Sequence, residues 1–312
     1  MRLNRGQILK KAAAALTMAG AMFATALRAE EIPIAVGIDP TFVSFFVAKQ
    51  ERLFEKHGVD VKLLSFGPGG AMLDAVTGGQ AVMSASTETT TLVRMARTDI
   101  RAIAIVGRST NNVKLVARHD VDDPRKIRSI GVVPGGVFEY INGLTFKAYG
   151  IDPASVKVVK AGPPELPALL LRGDIDAFWL FEPFPTMTRN QGARILAEIK
   201  DVGYISQIWV SAKGDWLEKN RASAVKVLAA LKEACEIVTA DPKRGADAVQ
   251  ANVKIPAAQT LDYLKELQCR LDPIGSGDLP GYENISAFLH AAKIIPAPVD
   301  LRVKVVVDFP NR

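Results

Sequence analysis

Apolar positions follow two rhythms along the chain: short continuous runs, and longer stretches with apolar residues at helical spacing. The run from Ile32 to Ile38 ends at Asp39-Pro40, as a buried strand ends at a turn. The next stretch keeps the helical spacing up to Gly58, and Val59 to Phe66 is a second strand-like run. This order of strand, helix and strand predicts an α/β fold.

One strand-and-turn sequence occurs twice. VKLLSFGPGG at 61–70 returns as VKVVKAGPPE at 156–165, and a glutamate follows Gly79 and Gly173 at the same distance, at Glu88 and Glu182. The chain therefore contains two β-α-β-α-β units, which predict parallel sheets covered by helices on both faces. The further predicted strands are 81–86, 100–106, 129–133, 156–161 and 176–181, and the further predicted helices are 71–77, 138–149 and 165–172.

Beyond Ser211 the pattern changes to four helical stretches without a further predicted strand. The chain passes between the two units near 109–116 and again near 204–212. We expect lobe one to comprise 30–111 and 209–312, including this helical tail, and lobe two to comprise 112–208. Ligands of such sheets bind beyond the carboxyl ends of the strands, so we expect a ligand cleft between the lobes. The length of 312 residues also favours two domains.

The N-terminus has the three parts of a secretory signal peptide. A basic start is followed by the apolar stretch AAAALTMAGAMFATAL and by small residues, so residues 1–29 are predicted to be removed after Ala26 or Ala29. A membrane anchor is the alternative, although the apolar stretch is short for a spanning helix. Residues 1–29 hold five cations and no acid, so their removal lowers the formal net charge from +6 to +1. The basic character therefore gives no indication of nucleic-acid binding.

The chain has two cysteines, Cys235 and Cys269, and both fall in stretches predicted to be helical. An exported protein can join such a pair in a disulfide. Cys235 also shares its helical spacing with Leu228, Leu231 and Val238, and this pattern favours buried free thiols. Either state is expected to be structural.

Three segments carry a family resemblance that covers roughly 32–210. AKQERLFEKHGVDVKLLSF, GPGGAMLDAVTGG and RGDIDAFWLFEP resemble the periplasmic solute-binding proteins of ABC importers for sulfonates, taurine and nitrate, a family that also includes thiamine-pyrimidine binders. The resemblance implies a two-lobed type II periplasmic binding fold whose lobes close on the ligand. One departure is Ala81-Val82, where the family usually has an acidic residue after the glycine turn.

The glycine turns are the first candidate ligand contacts. Gly69-Gly70 and Gly135-Gly136 each precede a predicted helix, whose free N–H groups and dipole favour an anion. Glycine lets the backbone approach a ligand closely. Ordinary punctuation between strand and helix is the alternative reading of both turns.

Two further clusters lie where predicted strands end. SASTETTT at 84–91 has more hydroxyl groups than one helix cap requires, and Glu88 could accept a hydrogen bond from a ligand amine. Glu182 is expected to face Glu88 across the cleft, with aromatic side chains as apolar walls. The candidate ligand-binding residues are Asp39, Thr41, Phe42, Gly69, Gly70, Ser86, Thr87, Glu88, Ser109, Asn111, Gly135, Gly136, Val137, Phe138, Trp179 and Glu182.

These features predict a periplasmic solute-binding protein that delivers a small polar organic solute to an ABC permease in the inner membrane. Taurine or another sulfonate is the first expected ligand, followed by aromatic carboxylates and aminopyrimidines, whereas two cleft carboxylates would repel nitrate. We expect a monomer without a metal or cofactor. An enzyme is disfavoured, because the three histidines lie away from the predicted cleft loops and no nucleophile–base arrangement is visible. The alternatives are a ligand-sensing protein for a membrane receptor and an enzyme like those of pyrimidine biosynthesis.

Overall fold

The computed structural model describes residues 30–67 and 70–309. The predicted signal peptide and Gly69 therefore lie outside the described residues. Eleven β-strands occur in this part of the chain. They are β1 Glu31–Val36, β2 Asp60–Ser65, β3 Met83–Thr87, β4 Ile100–Ser109, β5 Val113–Ala117, β6 Ser129–Val132, β7 Lys157–Lys160, β8 Ala177–Phe181, β9 Arg194–Glu198, β10 Ser206–Lys213 and β11 Leu267–Asp272.

Thirteen α-helices connect or cover these strands within the described residues. The helices are α1 Val43–Gln50, α2 Leu53–Lys56, α3 Ala71–Thr77, α4 Glu88–Met95, α5 Val137–Tyr149, α6 Glu165–Arg172, α7 Phe184–Arg189, α8 Gly214–Lys219, α9 Arg221–Ala240, α10 Pro242–Val253, α11 Ala257–Leu264, α12 Leu279–Ala291 and α13 Leu301–Lys304. In the part of the chain that the structure describes, none of these helices combines the length and the apolar character needed to cross a membrane.

The strands form two sheets. The six-stranded sheet has the order β11-β4-β10-β3-β1-β2, and the five-stranded sheet has the order β7-β6-β8-β5-β9. Strands β1, β2 and β3 run parallel, as do β6, β7 and β8. The prediction of purely parallel sheets is wrong, however, because β10 runs antiparallel to both β3 and β4, and β5 runs antiparallel to both β8 and β9. The antiparallel partners β5 and β10 belong to the segments where the chain passes from one sheet to the other.

The repeated sequence phrase builds the same local structure in both sheets. After β2, the N–H of Phe66 donates to the carbonyl of Val36 at 2.9 Å, and after β7 the N–H of Ala161 donates to Val132 at 3.1 Å. Helix α3 then begins four residues after Gly67, and helix α6 begins three residues after Gly162. The repeat therefore sets the direction of the parallel strands and brings corresponding loops to the carboxyl end of each sheet.

Each sheet has its own apolar core. Phe45, Phe46 and Trp209 are fully buried in the core of the six-stranded sheet, and Phe178 and Trp179 are fully buried in that of the five-stranded sheet. Burial of a side chain of this size contributes roughly 2 to 3 kcal/mol to folding.

The last third of the chain departs from the prediction in two ways. The predicted helix through Cys269 ends at Leu264, and the residues that follow form β11, which pairs antiparallel with β4. Alternating burial along this strand, with Leu267 and Cys269 inside, gives the period of two that a strand requires. The preference for free thiols is also wrong, because Cys235 and Cys269 form a disulfide with their Cα atoms 5.1 Å apart.

Candidate functional site

A cavity of about 390 Å³ lies where loops of the two sheets meet. Thr41 follows β1 and Ser86 lies at the end of β3, both on the side of the six-stranded sheet. Gly136 follows β6 and Phe181 ends β8, both on the side of the five-stranded sheet. The carboxyl ends of strands from both sheets therefore contribute to one cavity, as an α/β sheet is expected to place its ligands.

Aromatic rings form much of the cavity wall. The ring centroids of Phe138 and Phe181 lie 6.1 Å apart, and those of Phe181 and Phe184 lie 5.7 Å apart. Phe42 lines the cavity from the other sheet and packs directly over Gly37, where an added Cβ would lie 2.1 Å from the ring. This wall provides apolar surface for the carbon skeleton of a solute.

Among the described residues that line the cavity, Asp39 is the one with a charged side chain. Its carboxylate caps the short helical turn Pro40–Phe42 by accepting a hydrogen bond from the N–H of Thr41 at 2.9 Å. Burial raises the pKa of Asp39, and hydrogen bonds from the side chain and backbone of Thr41 oppose that rise. The cavity thus has an acceptor group at the end of β1.

Asn112 reaches the same cavity from the crossing between β4 and β5. Its backbone position is set by Ser109, whose hydroxyl oxygen accepts hydrogen bonds from the N–H groups of Asn111 at 3.3 Å and Asn112 at 3.0 Å. The side-chain amide of Asn112 donates to the hydroxyl of Tyr263 at 3.4 Å, and that hydroxyl lies 2.6 Å from the hydroxyl of Thr41. A buried hydrogen-bonded chain therefore connects both sides of the cavity.

The turn before α5 lines the cavity, but its glycine N–H groups already have an acceptor. Glu139 accepts hydrogen bonds from the N–H groups of Gly135 at 2.8 Å and Gly136 at 3.3 Å. The remaining donors in the first turn of this helix are the N–H groups of Val137, Phe138 and Glu139. A Cβ added at Gly136 would lie 2.7 Å from the hydroxyl of Thr90 on α4, so the two sides approach closely here.

The hydroxyl-rich segment before α4 has a largely structural role. Thr87 caps the helix by accepting from the N–H of Thr90 at 3.3 Å, and its own hydroxyl donates to the hydroxyl of Thr90 at 2.8 Å. Thr91 donates to the carbonyl of Thr87 at 2.9 Å. Ser86, Thr87 and Thr90 also line the cavity, so this helix start offers hydroxyl groups to a ligand.

Glu88 lies behind the cavity wall and is 1% exposed. Its carboxyl group is hydrogen-bonded to the hydroxyl of Tyr204, the N–H of Gln207 at 3.0 Å and the hydroxyl of Thr89 at 3.2 Å. Burial raises the pKa of Glu88 to about 7, although these hydrogen bonds oppose the rise. The residue thus joins the start of α4 to the segment that returns to β10.

Glu182 lines a second, smaller cavity of about 120 Å³. Its carboxylate lies 3.0 Å from the Nζ atom of Lys114 and accepts from the hydroxyl of Thr186 at 3.0 Å. Lys114 also lies 3.6 Å from Glu266, which precedes β11. The structure therefore does not bring Glu182 and Glu88 together across the large cavity, as the sequence analysis expected.

Some of the predicted ligand-binding residues line the large cavity, and the others lie outside its lining. Trp179 is fully buried and donates to the hydroxyl of Thr145 at 2.9 Å, while Gly70 packs against Arg94. Glu88, Ser109, Asn111 and Glu182 also lie outside the lining of the large cavity. The candidates that do line it are Asp39, Thr41, Phe42, Ser86, Thr87, Gly135, Gly136, Val137 and Phe138.

Several lining residues were absent from the predicted set. Thr90 belongs to the hydroxyl-rich segment, and Asn112 follows the predicted Asn111, so both had a signal in the sequence. Ser206 and Ile208 come from the returning crossing, where β10 was not predicted. Ile255 comes from the predicted helical tail, whose position no local pattern determines. Within the described residues, no cluster of His, Cys, Asp and Glu side chains could hold a metal ion.

Comparison with known proteins gives a consistent result. The sequence profile of the family described as NMT1/THI5 like matches residues 39–245. The chain is 23% identical over 286 residues to the taurine-binding periplasmic protein of Escherichia coli strain K12, with 88% of this chain and 83% of that protein covered.

Two solved structures have a similar fold. The periplasmic aliphatic sulphonate binding protein SsuA of Escherichia coli has a TM-score of 0.78 at 17% identity, covering 89% of this chain and 92% of that chain. The alkanesulfonate-binding protein SsuA of Xanthomonas axonopodis pv. citri, bound to MOPS, has a TM-score of 0.77 at 16% identity, covering 90% and 99%. The two-sheet fold is therefore that of periplasmic binding proteins.

Proposed function

The chain belongs to the NMT1/THI5-like family, and from this membership we propose that it is the solute-binding component of an ABC importer. It captures a small organic solute outside the cytoplasm and presents it to a permease in the inner membrane. Residues 1–29 direct its export, and the mature protein acts as a monomer. A sulfonate is the first expected ligand, with aromatic carboxylates and aminopyrimidines next. The similarity to the taurine-binding protein supports this order.

The composition of the large cavity is the observation that carries the proposal. Its volume of about 390 Å³ lies in the range of small-molecule sites, and most of its lining is apolar with a few polar groups. Phe42 and Phe138 provide walls from the two sheets, while Ser86 and Thr90 add hydroxyl donors. This combination suits a solute with a carbon skeleton and a polar head.

Neutral donors are proposed to bind an acidic head group. The N–H groups of Val137 and Phe138 open α5, a helix of 13 residues whose dipole favours an anion at this end. The hydroxyls of Ser86 and Thr90 lie near the start of α4 and line the same cavity, and that of Thr90 keeps its proton because it accepts from Thr87. A sulfonate has three oxygens that can accept these hydrogen bonds, and its charge would then be stabilised without a cationic side chain.

We propose that the loops of the six-stranded sheet and the loops of the five-stranded sheet close on the solute when it is captured. A ligand that contacts both sides binds the closed state better than the open state, and it shifts the population by that difference in affinity. Thr90 and Gly136 come from opposite sides, and a side chain at position 136 would require Thr90 to shift because a Cβ there would lie 2.7 Å from its hydroxyl. We therefore place the contact that completes closure at this pair.

The test is a thermal-shift screen of the purified protein against taurine, alkanesulfonates, aromatic carboxylates and aminopyrimidines. Ligand at a hundred times its dissociation constant stabilises the protein by about 2.7 kcal/mol, which raises the melting temperature by roughly 5 °C. In Gly136→Ala the added methyl group meets Thr90, and we expect at least a tenfold loss of affinity for the same ligand. Gly277→Ala is the matched control, because a Cβ at position 277 meets nothing within 4 Å. A cooperative melt without a shift for any compound would contradict the proposal.

A further inference from the structure

The side-chain oxygen of Asn112 is a buried acceptor without a hydrogen-bond partner among the described residues. Asn112 is 5% exposed and lines the large cavity. A buried polar atom that loses its bond to water costs roughly 1 to 3 kcal/mol unless a new partner replaces it. This oxygen therefore lacks a donor among the described residues, and its residue lies in the wall of the cavity.

The hydrogen-bonded chain behind the cavity determines which end of the Asn112 amide is bonded to Tyr263. Asp39 in its ionised form can only accept, so the hydroxyl of Thr41 donates to it. The hydroxyl of Thr41 can then accept from Tyr263, 2.6 Å away. Tyr263 in turn accepts from the amide nitrogen of Asn112, 3.4 Å away. This order leaves the amide oxygen of Asn112 as the free acceptor.

Tyr263 is suited to hold this order. The residue is 4% exposed, and burial, with the nearby charge of Asp39 as the second cause, raises the pKa of its hydroxyl. The hydroxyl therefore stays neutral and can donate to Thr41 while it accepts from Asn112. Tyr263 acts as a positioning residue, since it lies outside the lining of the large cavity.

Asp39 and Asn112 together present acceptors from two different elements to one cavity. We infer that the solute carries an amine or ammonium group, which donates hydrogen bonds to the Asp39 carboxylate and to the Asn112 oxygen. This inference rests on the proposed function and narrows its ligand. It favours aminosulfonates and aminopyrimidines over plain alkanesulfonates and aromatic carboxylates, because only the first two supply N–H donors.

Matched ligand pairs test the inference by isothermal titration calorimetry on the purified protein. In each pair a methyl group replaces the amine: 2-aminoethanesulfonate against propane-1-sulfonate, and 4-amino-2-methylpyrimidine against 2,4-dimethylpyrimidine. A site built to receive a donor rejects an analogue that lacks it, so we expect the amine of one pair to bind at least about 100-fold more tightly than its methyl partner. The pair that shows this preference also identifies the source of the amine.

The remaining outcomes distinguish a failure of the amine inference from a failure of the proposed function. Equal or tighter binding of a methyl compound would overturn the amine inference and leave the solute-binding proposal intact. No binding by any of the four compounds, with a cooperative melt showing a folded protein, would overturn the inference together with the proposed ligand classes.

Two variants connect the preference to the named residues. Asp39→Asn retains an oxygen that can cap the turn at Thr41, and we expect it to weaken binding of the amine compound at least tenfold while the methyl compound changes less than threefold. Tyr263→Phe removes the hydroxyl that orients Asn112, and the preference should fall several-fold. Tyr282→Phe is the matched control, because the Tyr282 hydroxyl contacts Gln207 at 2.7 Å, away from the lining of the cavity. An unchanged preference in both Asp39→Asn and Tyr263→Phe would overturn the assignment.

Discussion

Glu88 and Glu182 occupy equivalent positions in the two sequence repeats, yet they have opposite electrostatic surroundings. Glu88 is fully enclosed by neutral partners, namely the hydroxyls of Tyr204 and Thr89 and the N–H of Gln207. Glu182 keeps a cation, Lys114, at 3.0 Å. Burial therefore raises the pKa of Glu88, whereas Glu182 has a cation beside its carboxyl group.

The difference comes from segments outside the repeat. Tyr204 and Gln207 belong to the second crossing of the chain, and Lys114 lies on β5, directly after the first crossing. The repeated units fix where each glutamate begins its helix or turn, but the crossing segments provide its partners. A duplicated scaffold can thus acquire two different chemical environments without any change in its strand order.

Removal of the cation should have the largest effect on stability. Lys114 is 13% exposed in its side chain and lies between Glu182 and Glu266, so Lys114→Met leaves two partly buried carboxylates without their cation. We expect a loss of about 3 kcal/mol in the free energy of unfolding, measured by urea denaturation at pH 7.5. Lys243→Met is the control, since its pair with Asp247 is exposed and should change stability by less than about 0.5 kcal/mol. A loss below 1 kcal/mol in Lys114→Met would show that water solvates the two carboxylates in place of the cation.

The stability that Glu88 contributes should fall as the pH rises, which is opposite to the effect of an ordinary carboxylate. The pKa of Glu88 is about 7 in the fold against 4.5 for the unconstrained group, so the folded state binds more protons between these values. Its stabilising contribution is complete below pH 4.5 and is lost as the pH rises through 7, by about 3 kcal/mol in all.

Glu88→Gln should remove this slope, because glutamine keeps acceptor and donor groups without a titrating proton. Urea denaturation at pH 5 and pH 8 measures it, and at pH 8 the variant should be more stable than the unmodified protein. Glu182→Gln provides the contrast, since it weakens the contact with Lys114 and should reduce stability at pH 8. The same pH slope in Glu88→Gln as in the unmodified protein would refute the assignment of a neutral Glu88.

The smallest expected difference concerns the hydroxyl that donates to each glutamate. Thr186 donates to Glu182 at 3.0 Å, and Thr89 donates to Glu88 at 3.2 Å. A hydrogen bond to an ion is stronger than one between neutral groups, so Thr186→Val should cost about 1 to 2 kcal/mol at pH 6 and Thr89→Val roughly half as much. Denaturation curves of both variants at one pH compare the two bonds directly. Equal costs would indicate that Glu88 is ionised at that pH.

The local sequence patterns predicted the elements of the repeat well. Helices α3 and α6 begin and end at the predicted residues, and the strands β1, β2 and β8 agree to within two residues. The patterns missed β5, β9, β10 and β11, because the antiparallel pairing of these strands is decided by neighbours that are distant in the sequence. The residues around Cys269 are compatible with either a helix or a strand. Pairing with β4 makes them a strand.

The lining of the cavity was predictable where a lining residue follows a strand of the repeat. Asp39, Ser86 and Gly136 lie after β1, at the end of β3 and after β6, and all three line the cavity. Tyr263 could not be found in this way, since its hydroxyl meets the side chain of Asn112, which lies 151 positions earlier in the chain. Long-range hydrogen bonds of this kind leave no periodic signal in the sequence.

The disulfide joins the middle of α9 to β11, which is the edge strand of the six-stranded sheet. Closing a loop with a sequence separation of 34 residues stabilises a chain by roughly 3 to 4 kcal/mol in the loop-entropy description. An edge strand has unpaired backbone groups that can recruit a strand from another molecule, especially if it detaches and exposes the strand behind it. The covalent link keeps β11 in place over β4. Reduced protein should therefore be prone to intermolecular strand pairing, and oxidation of Cys235 and Cys269 protects the sheet against aggregation as well as against unfolding.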